Sequence, residues 1–165
     1  MKNFSEEAIQ ALVDIDFVQR FEKISKIYSK ERANSLPQTI KISKDEGLKI
    51  FQELGYSAKY YAGEKFYEIE FGKIGPLIFE IHISLWSGGK VELLWYVTKE
   101  EEMLLGGPWA IYPRIMLDED YRIKYPVFAT SDDLKEILEY TFKMYEDFKN
   151  ALVRIMGEKK IVIKD

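Results

Sequence analysis

The chain has one histidine, His82, in a run that alternates with period two. Leu77, Phe79, Ile81, Ile83 and Leu85 lie on one side of it, and Ile78, Glu80, His82, Ser84 and Trp86 on the other. A second such run sets Val91, Leu93, Trp95 and Val97 against Glu92, Leu94, Tyr96 and Thr98. Matching the apolar sides across Ser87-Gly88-Gly89 puts Leu85 opposite Val91, and with it Ser84 opposite Glu92, His82 opposite Leu94 and Glu80 opposite Tyr96. A one-residue slip would turn a whole apolar face outward. The preceding run, Lys65 to Gly72, brings Phe66, Glu68 and Glu70 to the polar side, with Glu80 or His82 opposite Glu68.

One sheet face therefore gathers Glu68, Glu70, Glu80, His82, Ser84, Glu92 and Tyr96. An imidazole among carboxylates can move a proton as general acid or base, or hold a hard or borderline metal ion. On that reading Glu68, Glu80, His82 and Glu92 are the candidate catalytic residues. A lone histidine falls short of the pair or triad that most zinc enzymes use, so neither metal nor cofactor is expected. Antiparallel sheets commonly leave one face wet, and Glu, Ser, Thr and Tyr are ordinary occupants of it. A solvated or partner-binding face is the simpler expectation, with Tyr96, Trp86 and Trp109 as candidate contact residues. Trp86 opposite Lys90 is expected to form a cation–π pair flanking the turn.

Other motifs carry less. Gly106-Gly107-Pro108-Trp109 lacks both the Lys-Ser/Thr of a phosphate loop and the G-x-G-x-x-G spacing, leaving a turn with Trp109 tucked in or a tip with it exposed. Asp118-Glu119-Asp120 lacks the remaining ligands of a calcium loop and is expected to be a polar turn. No nucleophile elbow and no H-E-x-x-H occurs.

The strands need elements to hold them. Ser5-Glu6-Glu7 is a helix start, and Ile9, Val13, Phe17, Phe21, Ile24 and Tyr28 recur at helical spacing, predicting one helix over residues 5 to 32. Its second half carries Arg20, Lys23, Lys26, Lys30 and Arg32, expected to form a solvated face. Residues 39–42 suggest a short edge strand. Ser43 to Glu46 has capping-box spacing for a short helix ending at Gly55. A hairpin around Gly63-Glu64 follows, then the two runs above, then two further extended runs between residues 100 and 130 with Asp118–Asp120 between them. Thr130 to Asp133 caps a final helix expected to stop at Gly157, with Ile161-Val162-Ile163 as a last edge strand. The fold class expected is α+β: one domain over 1–165, an antiparallel meander of about five to seven strands, long helices at both ends and one short helix.

Composition fits this. Hydrophobic residues at 47% and charged residues at 32% exclude disorder, and the aromatic share of 15% favours strands and contact surfaces. Lys and Arg total 24 against 28 Asp and Glu, a net charge of −4, which argues against a nucleic-acid partner. Without cysteine there is no thiolate metal site, no disulfide scaffold and no cysteine nucleophile. The first residues lack a signal-peptide apolar stretch and no window is long enough to span a bilayer, so a cytoplasmic protein without membrane contact is expected.

This small, acidic, motif-free build is similar in size, charge and layout to immunity proteins of bacterial toxin–immunity systems. That resemblance implies a non-enzymatic protein whose partner is another, basic protein. The meander with its long C-terminal helix also resembles helix-grip proteins, implying an apolar ligand held over Tyr67, Ile69, Phe71, Phe79, Ile81, Ile83, Leu93 and Trp95. Those side chains are large enough to fill the space themselves.

Overall fold

The computed structural model describes residues 4–36 and 41–164, of which 159–164 are described by backbone alone. The sheet has five antiparallel strands in the order β1-β2-β3-β4-β5: Ala58–Tyr61, Phe66–Ile74, Leu77–Leu85, Val91–Lys99 and Glu102–Pro108. The helices are α1 (Glu6–Asp14), α2 (Phe17–Ile27), α3 (Lys30–Asn34), α4 (Lys44–Glu53), α5 (Tyr112–Met116) and α6 (Ser131–Lys164). This is the α+β meander framed by helices that the patterning predicts.

The β3–β4 register is the predicted one, with Leu85 opposite Val91, His82 opposite Leu94 and Glu80 opposite Tyr96. Between β2 and β3 the two-residue turn Gly75-Pro76 pairs Ile74 with Leu77 and Gly72 with Phe79. Continued without interruption, that register would set core-facing Phe71 against Glu80. A bulge between Glu70 and Gly72 absorbs the mismatch, leaving Phe71 unpaired but buried and restoring Ile69 opposite Ile81. Gly72, with φ +134°, supplies the backbone freedom the bulge requires. Of the two registers open from sequence, Glu68 opposite His82 is the one formed.

The buried residues of α1, α2, α4 and α6 join the odd-numbered sheet face in one core. Its centre is aromatic: Trp95 stands edge-on to Trp109 at 5.1 Å and lies 4.6 Å from Tyr145, and Phe17 packs on Trp109 at 5.0 Å. The Tyr112 hydroxyl is satisfied inside this cluster by the Gly107 carbonyl at 2.7 Å, and that of Tyr145 by the Tyr96 carbonyl at 2.7 Å. All eight positions that a helix-grip ligand would contact are buried within this core.

Several elements differ from expectation. The predicted N-terminal helix is three helices. Leu12 and Phe17 are both fully buried yet five residues apart, about 140° around a helix, so no single stripe includes both. The chain changes phase at Asp16, which adopts φ 56°, ψ 45° as the N-cap of α2. It leaves Val13 51% exposed. A second break at Tyr28 lets its carbonyl accept the Val127 N–H at 2.8 Å. Of the suggested 39–42 strand, Thr39 and Ile40 lie outside the described residues and Lys41-Ile42 form no strand. After β5 the chain does not stay extended: Trp109 and Tyr112 turn into the core through a 3-10 turn and α5. Only Val127 rejoins the ladder, as a bridge to Lys90. There the Phe128 carbonyl passes so near Gly89 that a side-chain carbon would meet it at 2.1 Å. Finally, α6 runs through Gly157 to Lys164, so Ile161-Val162-Ile163 is helical and not a strand. No helix among the described residues is long and apolar enough to cross a membrane.

Candidate functional site

Because the helices cover one side of the sheet, the even-numbered side of β2–β4 is left open. Tyr61, Ile78, Trp86 and Met103 on or beside it are 40%, 39%, 47% and 46% exposed. Across it runs a ladder of rings from successive strands. Tyr61 stacks on Phe66 at 4.9 Å, Phe66 on His82 at 4.6 Å, and His82 meets Tyr96 at 4.6 Å. Each contact follows from register or its diagonal, with Tyr61 opposite Phe66 and Tyr96 two residues beyond Leu94, the partner of His82. Gly106 stands opposite Tyr96 on β5, and the Met103 thioether occupies the space its side chain would fill.

Carboxylates flank the ladder. His82 Nε2 lies 3.6 Å from Glu68 Oε2 and 3.6 Å from Glu80 Oε2, beyond hydrogen-bonding reach of either. That nitrogen is buried and makes no hydrogen bond. Glu70 is paired directly with Glu80, a like-charge cross-strand pair of the kind that destabilises a sheet. Among the described residues no lysine or arginine makes an ion pair with Glu68, Glu70 or Glu80; Lys59 and Lys73 sit at the edges of the face, opposite Glu68 and Ile78. Burial first, and then the Glu80 and Glu92 carboxylates, raise the Tyr96 hydroxyl above its ordinary pKa, so it remains a neutral hydrogen-bond donor.

The predicted residues thus separate into groups. Glu68, Glu80, His82 and Tyr96 converge. Glu92 instead accepts a hydrogen bond from Trp86 Nε1 at 3.3 Å, at the far end of the face. Trp86 carries Lys90 Nζ 5.2 Å above its ring, the expected cation–π pair, and borders a surface cleft of about 630 Å3 that Lys30 and Lys124 also line. Trp109 is fully buried, the tucked arrangement of the two weighed, and presents no contact surface. The basic stripe of α2 and α3 is partly consumed by structure: Arg20 pairs with Asp147 at 3.0 Å and Arg32 with Asp133 at 2.8 Å. Sequence reasoning did not find the part played by Phe66 and Tyr61 in the ladder. The signal was present in their mirror positions about the Gly63-Glu64 turn.

A face whose carboxylates pair with no lysine or arginine among the described residues is suited to a cation: the carboxylates accept its N–H groups. Comparison with protein-family models, with curated proteins and with solved structures yields no match. The functional reading therefore rests on the chemistry of this face.

Proposed function

We propose that this chain is a non-enzymatic interaction protein whose open sheet face docks a basic segment of a protein partner. The observation that carries this reading is the Phe66–His82–Tyr96 ladder with Glu68, Glu70 and Glu80 beside it, none of them paired with a lysine or arginine among the described residues. An arginine fits it best, because its planar guanidinium offers paired N–H groups to a carboxylate. A nucleic-acid backbone would instead bring phosphates against the carboxylates. The net charge of −4 favours encounter with a basic partner, and the similarity in size, charge and layout to toxin-neutralising immunity proteins points to the same kind of partner.

The test is capture from the native host with wild-type bait and with Glu80→Lys and Phe66→Ala baits, all checked for native circular dichroism. A basic partner retained by wild type and weakened at least tenfold by both substitutions is the expected result. An acidic partner, or capture indifferent to both substitutions, would overturn the proposal.

A further inference from the structure

Beyond docking, and without depending on it, we propose that Glu68, Glu80 and His82 form a binding site for a divalent metal ion of the zinc class. The three side chains bring one ligand atom each to within 4.8 Å of one another, and His82 Nε2 is 3.6 Å from both carboxylate oxygens. A tetrahedral zinc ion with bonds of about 2.0–2.1 Å holds its ligand atoms roughly 3.3 Å apart. The two His82 contacts would close by about 0.3 Å each and the two carboxylate oxygens, within 4.8 Å of each other, by up to about 1.5 Å, which both partly exposed side chains can supply by rotation.

The state of His82 is the second observation. Its Nε2 has no accessible surface and no hydrogen-bond partner, yet it faces the space between the two carboxylates. As a lone pair it has nothing to accept from there, and as an N–H it is too far from either oxygen to donate well. A metal ion resolves both difficulties. It also explains why the sheet tolerates Glu70 directly opposite Glu80, since a double positive charge turns a repulsive cluster into a compensated one. The ring is already clamped between Phe66 and Tyr96, each at 4.6 Å, so little orientational freedom remains to be lost on binding.

The ligand set selects the ion. One imidazole nitrogen with two carboxylate oxygens suits borderline first-row divalent ions such as zinc, and disfavours the all-oxygen preferences of calcium and magnesium. Three protein ligands leave a fourth position on the exposed side of the face, open to water or to a ligand atom of a partner. A metal ion here and an arginine docked on the same carboxylates would exclude one another, so each weakens the other by the same factor.

His82 is the only histidine in the chain, so its ring resonances report on this site alone. The experiment is titration of chelator-stripped protein with zinc chloride, followed by calorimetry and by the His82 ring signals. Parallel titrations use His82→Gln, Glu68→Gln, Glu80→Gln and, as a control from the same face, Glu92→Gln. One equivalent of zinc should shift the His82 signals, each ligand substitution should weaken binding at least tenfold, and Glu92→Gln should leave it unchanged. Absence of binding by the wild type, binding that survives His82→Gln, or equal losses in Glu92→Gln and Glu80→Gln would each overturn the site. The titration contains no partner and the capture can be run with chelator present, so the metal site and the docking reading fail separately.

Discussion

Replacing Gly47 by alanine inside α4 normally stabilises a helix, by roughly 1 kcal/mol. Here the sign should reverse. An alanine Cβ would stand 2.2 Å from Tyr67 Oη and 2.6 Å from its Cζ, far inside contact distance. The tyrosine cannot retreat: it is 3% exposed, with Phe51 5.1 Å and Tyr60 4.7 Å from its ring. Its hydroxyl also donates to the Lys44 carbonyl at 3.3 Å. Overpacking of a fixed core costs about 1–3 kcal/mol, and displacing a hydrogen-bonded hydroxyl about 1 more. Less the propensity gain, the net loss centres on roughly 2 kcal/mol, or about 4–8 °C in Tm for a chain of this length. Urea and thermal unfolding of wild type, Gly47→Ala, Tyr67→Leu and the double variant provide the measurement. With the ring removed, Gly47→Ala should become neutral or stabilising. A single variant as stable as wild type, or the same loss in both backgrounds, would refute this account of the α4–β2 contact.

Asp133 offers a test by pH. Its hydrogen bonds from the Arg32 guanidinium, at 2.8 and 2.9 Å, hold the carboxyl below its ordinary pKa against the opposing effect of burial, helped by the Ala129 N–H. A lowered carboxyl contributes stability fully above its unfolded value, about 4, and loses it as pH falls through the lower folded value. Asp133→Asn should therefore cost about 2 kcal/mol at pH 7, discounted for the partly exposed arginine, and nothing once both states are protonated; a pH-independent difference in urea midpoints would contradict this. At the α1–α2 break, Asp16 holds a left-handed conformation, so Asp16→Gly should be neutral or stabilising by up to about 1 kcal/mol and Asp16→Val destabilising, as read by thermal unfolding.

The sheet was legible because its signal is strict. Period two fixes which side of each strand is buried, and matching Leu85 with Val91 was enough to place Glu80, His82 and Glu92 against their partners. The α4 capping box was equally local: Ser43 and Glu46 each satisfy the other's backbone. The misses have non-local causes. A helical stripe tolerates drift, so Ile9, Val13 and Phe17 suggested one continuous helix although the core takes Ala8, Ala11 and Leu12 before Phe17. Prolines and glycines after β4 resembled extended segments because nothing local reveals that Trp109 and Tyr112 are required by Phe17 and Trp95 across the core. Ile161-Val162-Ile163 has strand composition, yet a single glycine at 157 costs a long helix too little to end it. For the candidate site, Glu68, Glu80 and His82 were readable as neighbours, but which of Glu80 and His82 stands opposite Glu68 was not, until the bulge at Phe71 fixed the register.

The order of the strands also bears on how the chain finds its structure. Each strand pairs only with its neighbours in sequence, through the connections 62–65, 75–76, 86–90 and 100–101. Such short closures cost little chain entropy, so the ladder that carries Phe66, His82 and Tyr96 can assemble as a local unit. The distant closure is the packing of α1 on α6, the two ends of the chain. The open face thus lies on the sequentially connected sheet, and the terminal helices act as a clasp fastened over its opposite side.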